Sequence, residues 1–158
     1  MALDALDRKI LALLQEDARA SVADLARAID RAPSVAHERL RRLEERGLVK
    51  AYEARLDEPA LGFSVVAFVL VEADDLKAEA AIGRELQRVP EVQEVHHVAG
   101  EGCFLLKVRA RDNAHLGQVL TTRVQVIPHV TGTRTTIVLD TLKETTRLPL
   151  QGGPPPTG

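Results

Sequence analysis

Ser34, Val35, His37, Glu38, Arg41 and Arg42 fall within one short stretch, Pro33 to Gly47, and their spacing gives them a chemistry. At about 100° per residue, Ser34, Glu38, Arg41 and Glu45 project to one side of a helix, flanked by Val35 and Arg42. Ala36, Leu40 and Leu43 project to the other side, and His37 lies between the two. Guanidinium groups on a solvent-facing side suit phosphates, and a hydroxyl or carboxylate near the helix start suits base edges. Glu38 is of the type that accepts from the amino group of cytosine, or that repels wrong sites. The same residues also fit a plain solvated helix face, stabilised by Glu38–Arg42 and Arg41–Glu45 pairs four positions apart. His37 suits a base or phosphate contact and an idle surface histidine equally well.

The neighbouring elements favour nucleic acid. Residues 4–17 read as a first helix, with Leu6, Ile10, Leu13 and Leu14 on one stripe and Asp4 and Asp7 at its positive end. Ser21-Val22-Ala23-Asp24 has capping-box form and opens a second helix with Val22, Leu25, Ala26 and Ile29 on its apolar face. Pro33 fits the first position of a third helix, since the amide hydrogen it lacks has no partner there, and Gly47 ends that helix. Leu48 to Leu56 reads as a strand carrying Lys50 and Arg55, the wing. Helix, helix, arginine-bearing helix and basic strand make the order of a winged helix-turn-helix, with the third helix in the major groove.

A chain of 158 residues, 45% hydrophobic and 28% charged, holds one or two small domains with an aliphatic core, since aromatic residues are only 3%. The net charge of −2 excludes a generally basic nucleic-acid binder, yet Arg27 to Lys50 holds seven basic residues against four acidic ones. One cysteine, Cys103, excludes an intrachain disulfide and a multi-cysteine zinc site. No cofactor or metal is implied. No apolar run reaches membrane-spanning length, and the first residues lack signal-peptide order, so the expected location is the cytoplasm.

After a hinge at 57–62 the pattern changes. Phe63 to Ala73 is strand-like, Leu76 to Val89 helical, Val92 to Val98 and Cys103 to Ala110 strand-like, Asn113 to Val124 helical, and Thr131 to Asp140 strand-like. This β-α-β-β-α-β order is ferredoxin-like. One sheet face carries the helices, and self-association is the simplest cover for the other. The fold class is therefore α+β: a winged helix-turn-helix over 1–56, a linker over 57–62, a ferredoxin-like domain over 63–144, and a Gly/Pro-rich tail over 145–158 expected to stay disordered.

Together these residues resemble the Lrp/AsnC family of feast/famine transcription regulators. The marks are Leu6-Asp7 with Ile10-Leu11, Asp17-Ala18-Arg19, Leu25-Ala26, Arg39, Arg42-Leu43-Glu44-Glu45, Gly47-Leu48-Val49, Tyr52, Leu61-Gly62, Pro90-Glu91-Val92 and Gly100. The resemblance implies a DNA-binding regulator of amino-acid or related metabolism genes, with double-stranded DNA as partner and no catalytic residues. It also implies a C-terminal regulation-of-amino-acid-metabolism domain that dimerises through its sheets, builds octamers and takes an amino-acid effector. Two positions depart from the family pattern. Ala32 stands where Ser caps the third helix, and Gly100-Glu101-Gly102-Cys103 stands where the effector loop reads roughly Gly-Asp-Tyr-Asp.

On that resemblance the effector candidates are Gly100, Glu101, Gly102, Cys103, Thr135 and Thr136, with Thr133 nearby. Each has a plainer reading: the glycines as a hairpin turn, Cys103 as a small buried hydrophobe or a redox sensor, the threonines as ordinary strand residues. His96 and His97 would face opposite sides of a strand and cannot chelate one metal. Two other functions stay open. One is an enzyme resembling sirohaem decarboxylases of the same architecture, and the other is a ligand-binding module without DNA binding.

Overall fold

The computed structural model describes residues 3–99 and 103–150 and resolves two compact units. One takes the chain up to Arg55 together with the segment from Glu144; the other is Leu56–Lys143.

In the N-terminal unit, local chemistry sets the helix ends. Helix α1 (Ala5–Glu16) is capped by Asp4, whose side chain accepts from the Asp7 amide while the Asp7 carboxylate reaches back to the Asp4 amide. Helix α2 (Val22–Ile29) has the same reciprocal arrangement between Ser21 and Asp24. Helix α3 (Pro33–Glu45) begins with Pro33, and Ala32 caps it without any side-chain hydrogen bond. That leaves the helix about 1 kcal/mol short of what Ser would contribute there. Gly47, at φ 68°, takes the left-handed turn after the helix. Ile10, Leu25, Ile29, Ala36 and Leu43 close the core between the three helices.

One polar contact joins α1 to α3. Arg39 Nη1 lies 2.7 Å from Asp4 Oδ2 and 2.6 Å from Asp7 Oδ1. Asp7 is buried, so its carboxylate depends on this guanidinium and on the cap.

The wing strand expected over 48–56 is not formed. Residues 50–56 have no regular structure, and Leu48, Tyr52 and Leu56 are exposed. A strand needs a neighbouring edge for its amides and carbonyls, and none of the described strands pairs with this segment. Tyr52 instead donates its hydroxyl to Glu44 at 2.7 Å, holding the segment against α3. Partial burial, then that carboxylate, push the phenol up to about 12. Residues 145–150, expected to belong to the disordered tail, are tied to α1. Gln15 Nε2 donates to the Leu148 carbonyl at 3.1 Å, and Gln15 Oε1 accepts from the Leu148 amide at 2.6 Å.

The hinge is a compact turn in which the Phe63 amide donates to the Glu58 carbonyl and Gly62 sits at φ 85°. The C-terminal unit then runs β1 (Val65–Ala73), α4 (Glu79–Leu86), β2 (Val92–His97), β3 (Phe104–Ala110), α5 (Asn113–Val119) and β4 (Val130–Ile137). The four strands lie in the order β2-β3-β1-β4, with every neighbouring pair antiparallel. Ala67, Val69, Val71, Leu106 and Val108 point to the helix side and meet Ile82, Leu86, Leu116, Val119 and Val124.

Both expected helices form, each with an irregular turn at one end, the first ending at Leu86 and the second running to Val124. A 3-10 turn (Leu76–Ala78) precedes α4, and a π turn (Leu120–Val124) follows α5. Thr121 and Thr122 donate their hydroxyls to the Gly117 and Gln118 carbonyls, 2.9 and 2.8 Å away, which competes with regular α-helical bonding at this point.

Replacing Arg39 with Ala should lower the stability of the N-terminal unit by about 2 kcal/mol, because Asp7 keeps a buried charge without its guanidinium. Urea unfolding followed by helical circular dichroism reads this; an unchanged midpoint would show that the contact is dispensable.

Candidate nucleic-acid interface

The outer face of α3 is uncovered. Ser34, Val35, His37, Arg41 and Arg42 are all exposed, the two arginine side chains at 49% and 55%. Pro33 and the core contacts of Ala36 and Leu43 hold the helix so that this face stays outward. Its charges are already engaged with one another. Glu38 Oε1 lies 2.9 Å from Arg41 Nη2 and 2.9 Å from Arg42 Nε, and Glu38 Oε2 accepts from Arg41 Nε at 3.1 Å. Arg41 also pairs with Glu45. The Arg41 and then the Arg42 hydrogen bonds hold the Glu38 carboxyl down to about 2. The pairs of the plain solvated-face reading therefore exist, on a face that remains free to meet a partner.

Six sequence candidates share this face or its edge: Ser34, Val35, His37, Glu38, Arg41 and Arg42. A shallow hollow is lined by Ser34, Val35, Glu38, Arg39 and Arg42. Arg39 forms part of its wall, although its guanidinium is engaged with Asp4 and Asp7. Arg27, with its side chain 79% exposed, and Arg31 line a second depression beside the start of α3. Neither was singled out from sequence, although both lie in the basic run that begins at Arg27.

In the C-terminal unit only Cys103, Thr135 and Thr136 of the effector candidates fall among the described residues. Gly100, Glu101 and Gly102 lie outside the described residues. Cys103 is half-buried against the apolar core, and its amide donates to the Val71 carbonyl at 2.9 Å, which fits the small-hydrophobe reading. Thr135 is opposite Val69 and Thr136 opposite Phe68, so the two threonines face opposite sides of the sheet and do not line one cleft. The cause is the alternation of side chains along a strand.

The helix-free sheet face carries Phe68, Leu70 and Leu105, with Phe68 exposed. Glu94 on this face bridges His96 at 3.0 Å and Lys107 at 3.3 Å, and these two, in that order, lower its carboxyl below the ordinary range. His97 faces the other way, 3.2 Å from Glu79 and beside the Phe104 ring. A groove of about 710 Å³ on the helix side is lined by Ala81, Ile82, Val89, Val126, Ile127 and His129 among others. No single-sequence pattern marks it, because its walls come from separate elements.

Residues 3–50 match the winged helix-turn-helix DNA-binding family, and residues 66–148 match the Lrp/AsnC ligand binding domain. The chain belongs to the Lrp/AsnC family of transcriptional regulators. The HTH-type transcriptional regulator FL11 of Pyrococcus horikoshii is 38% identical, over 94% of this chain and 97% of that protein. A transcriptional regulator from Neisseria meningitidis, solved in complex with L-methionine, superposes with a TM-score of 0.89 at 28% identity, covering 95% of this chain and 98% of that one. A feast or famine regulatory protein from M. tuberculosis, also complexed with L-methionine, superposes with a TM-score of 0.86 at 33% identity, covering 93% and 99%. The Lrp/AsnC resemblance and the fold class read from sequence are thereby met. This Lrp/AsnC protein is a transcriptional regulator, as its named relatives are, and their names favour that reading over the sirohaem-decarboxylase alternative.

Proposed function

We propose that this regulator binds duplex DNA through the outer face of α3, as a homo-oligomer built on a sheet-to-sheet dimer, under the control of a small-molecule effector. The observation that carries the reading is the exposed face of Ser34, Val35, His37, Glu38, Arg41 and Arg42 on the third helix of a region matching the helix-turn-helix family. The start of α3 supplies Ser34, Val35 and His37 to base edges, while Arg41 and Arg42 take phosphates. Two copies related by a two-fold axis present two such helices to a near-palindromic site. Work on the chromosome puts the protein in the cytoplasm. Among the described residues, no helix is long and apolar enough to cross a membrane.

Support for the dimer is the face bearing Phe68, Leu70 and Leu105, an apolar strip that no helix of its own unit covers. Assembly to an octamer follows the family's habit. Support for an effector is the pair of solved relatives holding L-methionine. An amino acid is the first ligand class for the region around Gly100, Glu101, Gly102 and Cys103, with Thr136 on the helix-free face. The lack of a second acid at Cys103 favours a ligand whose ammonium group is held differently, through Glu101 or not at all.

Arg41→Ala should weaken binding to a duplex selected by the wild-type protein and reduce the slope of log affinity against log salt by about 0.9, one phosphate contact. Unchanged affinity and slope would remove α3 from the interface. Phe68→Asp should shift the protein toward monomer in analytical ultracentrifugation with its helical signal intact, whereas an unchanged sedimentation coefficient would place the dimer elsewhere. Calorimetric titration with each proteinogenic amino acid should give heat for at least one; flat traces throughout would take amino acids out of consideration.

A further inference from the structure

Glu38 occupies an unusual place for a carboxylate on a DNA-facing helix. It grips both arginines proposed to hold phosphates, Arg41 through two parallel hydrogen bonds of 3.1 and 2.9 Å and Arg42 through one of 2.9 Å. Glu45 takes another nitrogen of Arg41. Two arginines and two glutamates leave this cluster with no net charge. A duplex of arbitrary sequence therefore gains little by approaching it, because affinity for generic DNA comes from net neutralisation of phosphates and the counterions this releases.

We infer that Glu38 is a specificity-determining residue of the α3 surface: its carboxylate withholds Arg41 and Arg42 from generic phosphate and yields them only on a sequence that offers it a hydrogen-bond donor in exchange. The inference rests on the reading of α3 as the DNA-contacting helix. In the major groove the donors are the N4 amino group of cytosine and the N6 amino group of adenine. Where such a group meets Glu38, the carboxylate keeps a partner as the guanidiniums turn to the backbone. Elsewhere, Glu38 either keeps the arginines or faces phosphates of its own sign without compensation.

The exchange needs no unfolding. Glu38 sits midway along α3 with its side chain 42% exposed, and every group it holds is on its own helix. The Arg41 and Arg42 hydrogen bonds hold the carboxyl down to about 2, so it stays ionised at any working pH.

The test compares the full-length wild type with Glu38→Gln, Glu38→Ala, Arg41→Ala and Arg42→Ala on two probes: a duplex selected from a random pool by the wild type, and a duplex of scrambled sequence. Gln keeps the shape and nearly the helix propensity of Glu, and circular dichroism checks both Glu38 variants for folding. Glu38→Gln should tighten binding to the scrambled duplex roughly tenfold at low salt and steepen the salt slope by about 0.9. The ratio of selected to scrambled affinity should fall by a similar factor, and Glu38→Ala should move the same way. Equal gains on both duplexes, or no change on the scrambled one while Arg41→Ala and Arg42→Ala still weaken binding, would overturn the inference and leave α3 as the interface. If neither arginine variant affects binding, the reading of α3 itself fails.

Discussion

The Arg39 guanidinium is the group on which the N-terminal unit turns. Its Nη1 nitrogen meets Asp4 and Asp7 together, so the start of α1 is joined to the middle of α3. Asp4 also caps α1, and Asp7 is buried, so three requirements meet in one arrangement: a satisfied helix end, a paired interior carboxylate and a set angle between two helices. Such a charge cluster is tolerated because each partner satisfies the others, and removing one leaves the rest exposed to the full cost of desolvation. The consequence for function is indirect. With Arg39 engaged toward α1, the outward guanidiniums of α3 are those of Arg41 and Arg42.

The two surfaces proposed to meet partners share a feature: each already has its charges matched within the chain. On α3 the carboxylate of Glu38 spans two arginines; on the helix-free sheet face the carboxylate of Glu94 spans His96 and Lys107. A partner must offer something better than the internal pair, so such surfaces discriminate more than they attract. On the sheet, Phe68, Leu70 and Leu105 supply apolar area while the paired charges set orientation. On the outer face of α3, Val35 is the one large exposed hydrophobe among the described residues, and the choice of partner falls to hydrogen bonds.

Legibility from sequence followed the range of the interaction. The caps at Asp4 and Ser21, Pro33 at the start of α3 and Gly47 at its end are settled within a few residues, and all were readable. So were the succession of strands and helices in the second half and the outward placement of Arg41, Arg42 and Glu38, because helical and strand periodicity suffice for these. The wing was not readable in its true state: Leu48 to Leu56 has strand composition, but a strand is a relation between two segments and no described neighbour supplies the second. Arg39 stood out as a family mark and not as the clasp between helices, because Asp4 and Asp7 lie far from it in the chain. The grip of Gln15 on the Leu148 backbone was invisible for the same reason, so the ordered segment was expected to begin the tail. Thr135 and Thr136 entered on the family resemblance, and alternation along the strand places them on opposite faces of the sheet.

What the sequence determined alone is whatever a few consecutive side chains decide: where helices begin and end, which face of each is apolar, and that one helix carries its arginines outward. The tertiary structure decided how distant groups pair. It paired Arg39 with the start of α1, folded the hinge into a compact turn, left residues 50–56 without a strand partner, and drew the walls of the groove from separate elements. The physical reason is that backbone dihedrals and helical spacing are local properties, whereas the pairing of a charge or a strand edge depends on which distant segment folding brings within about 3 Å.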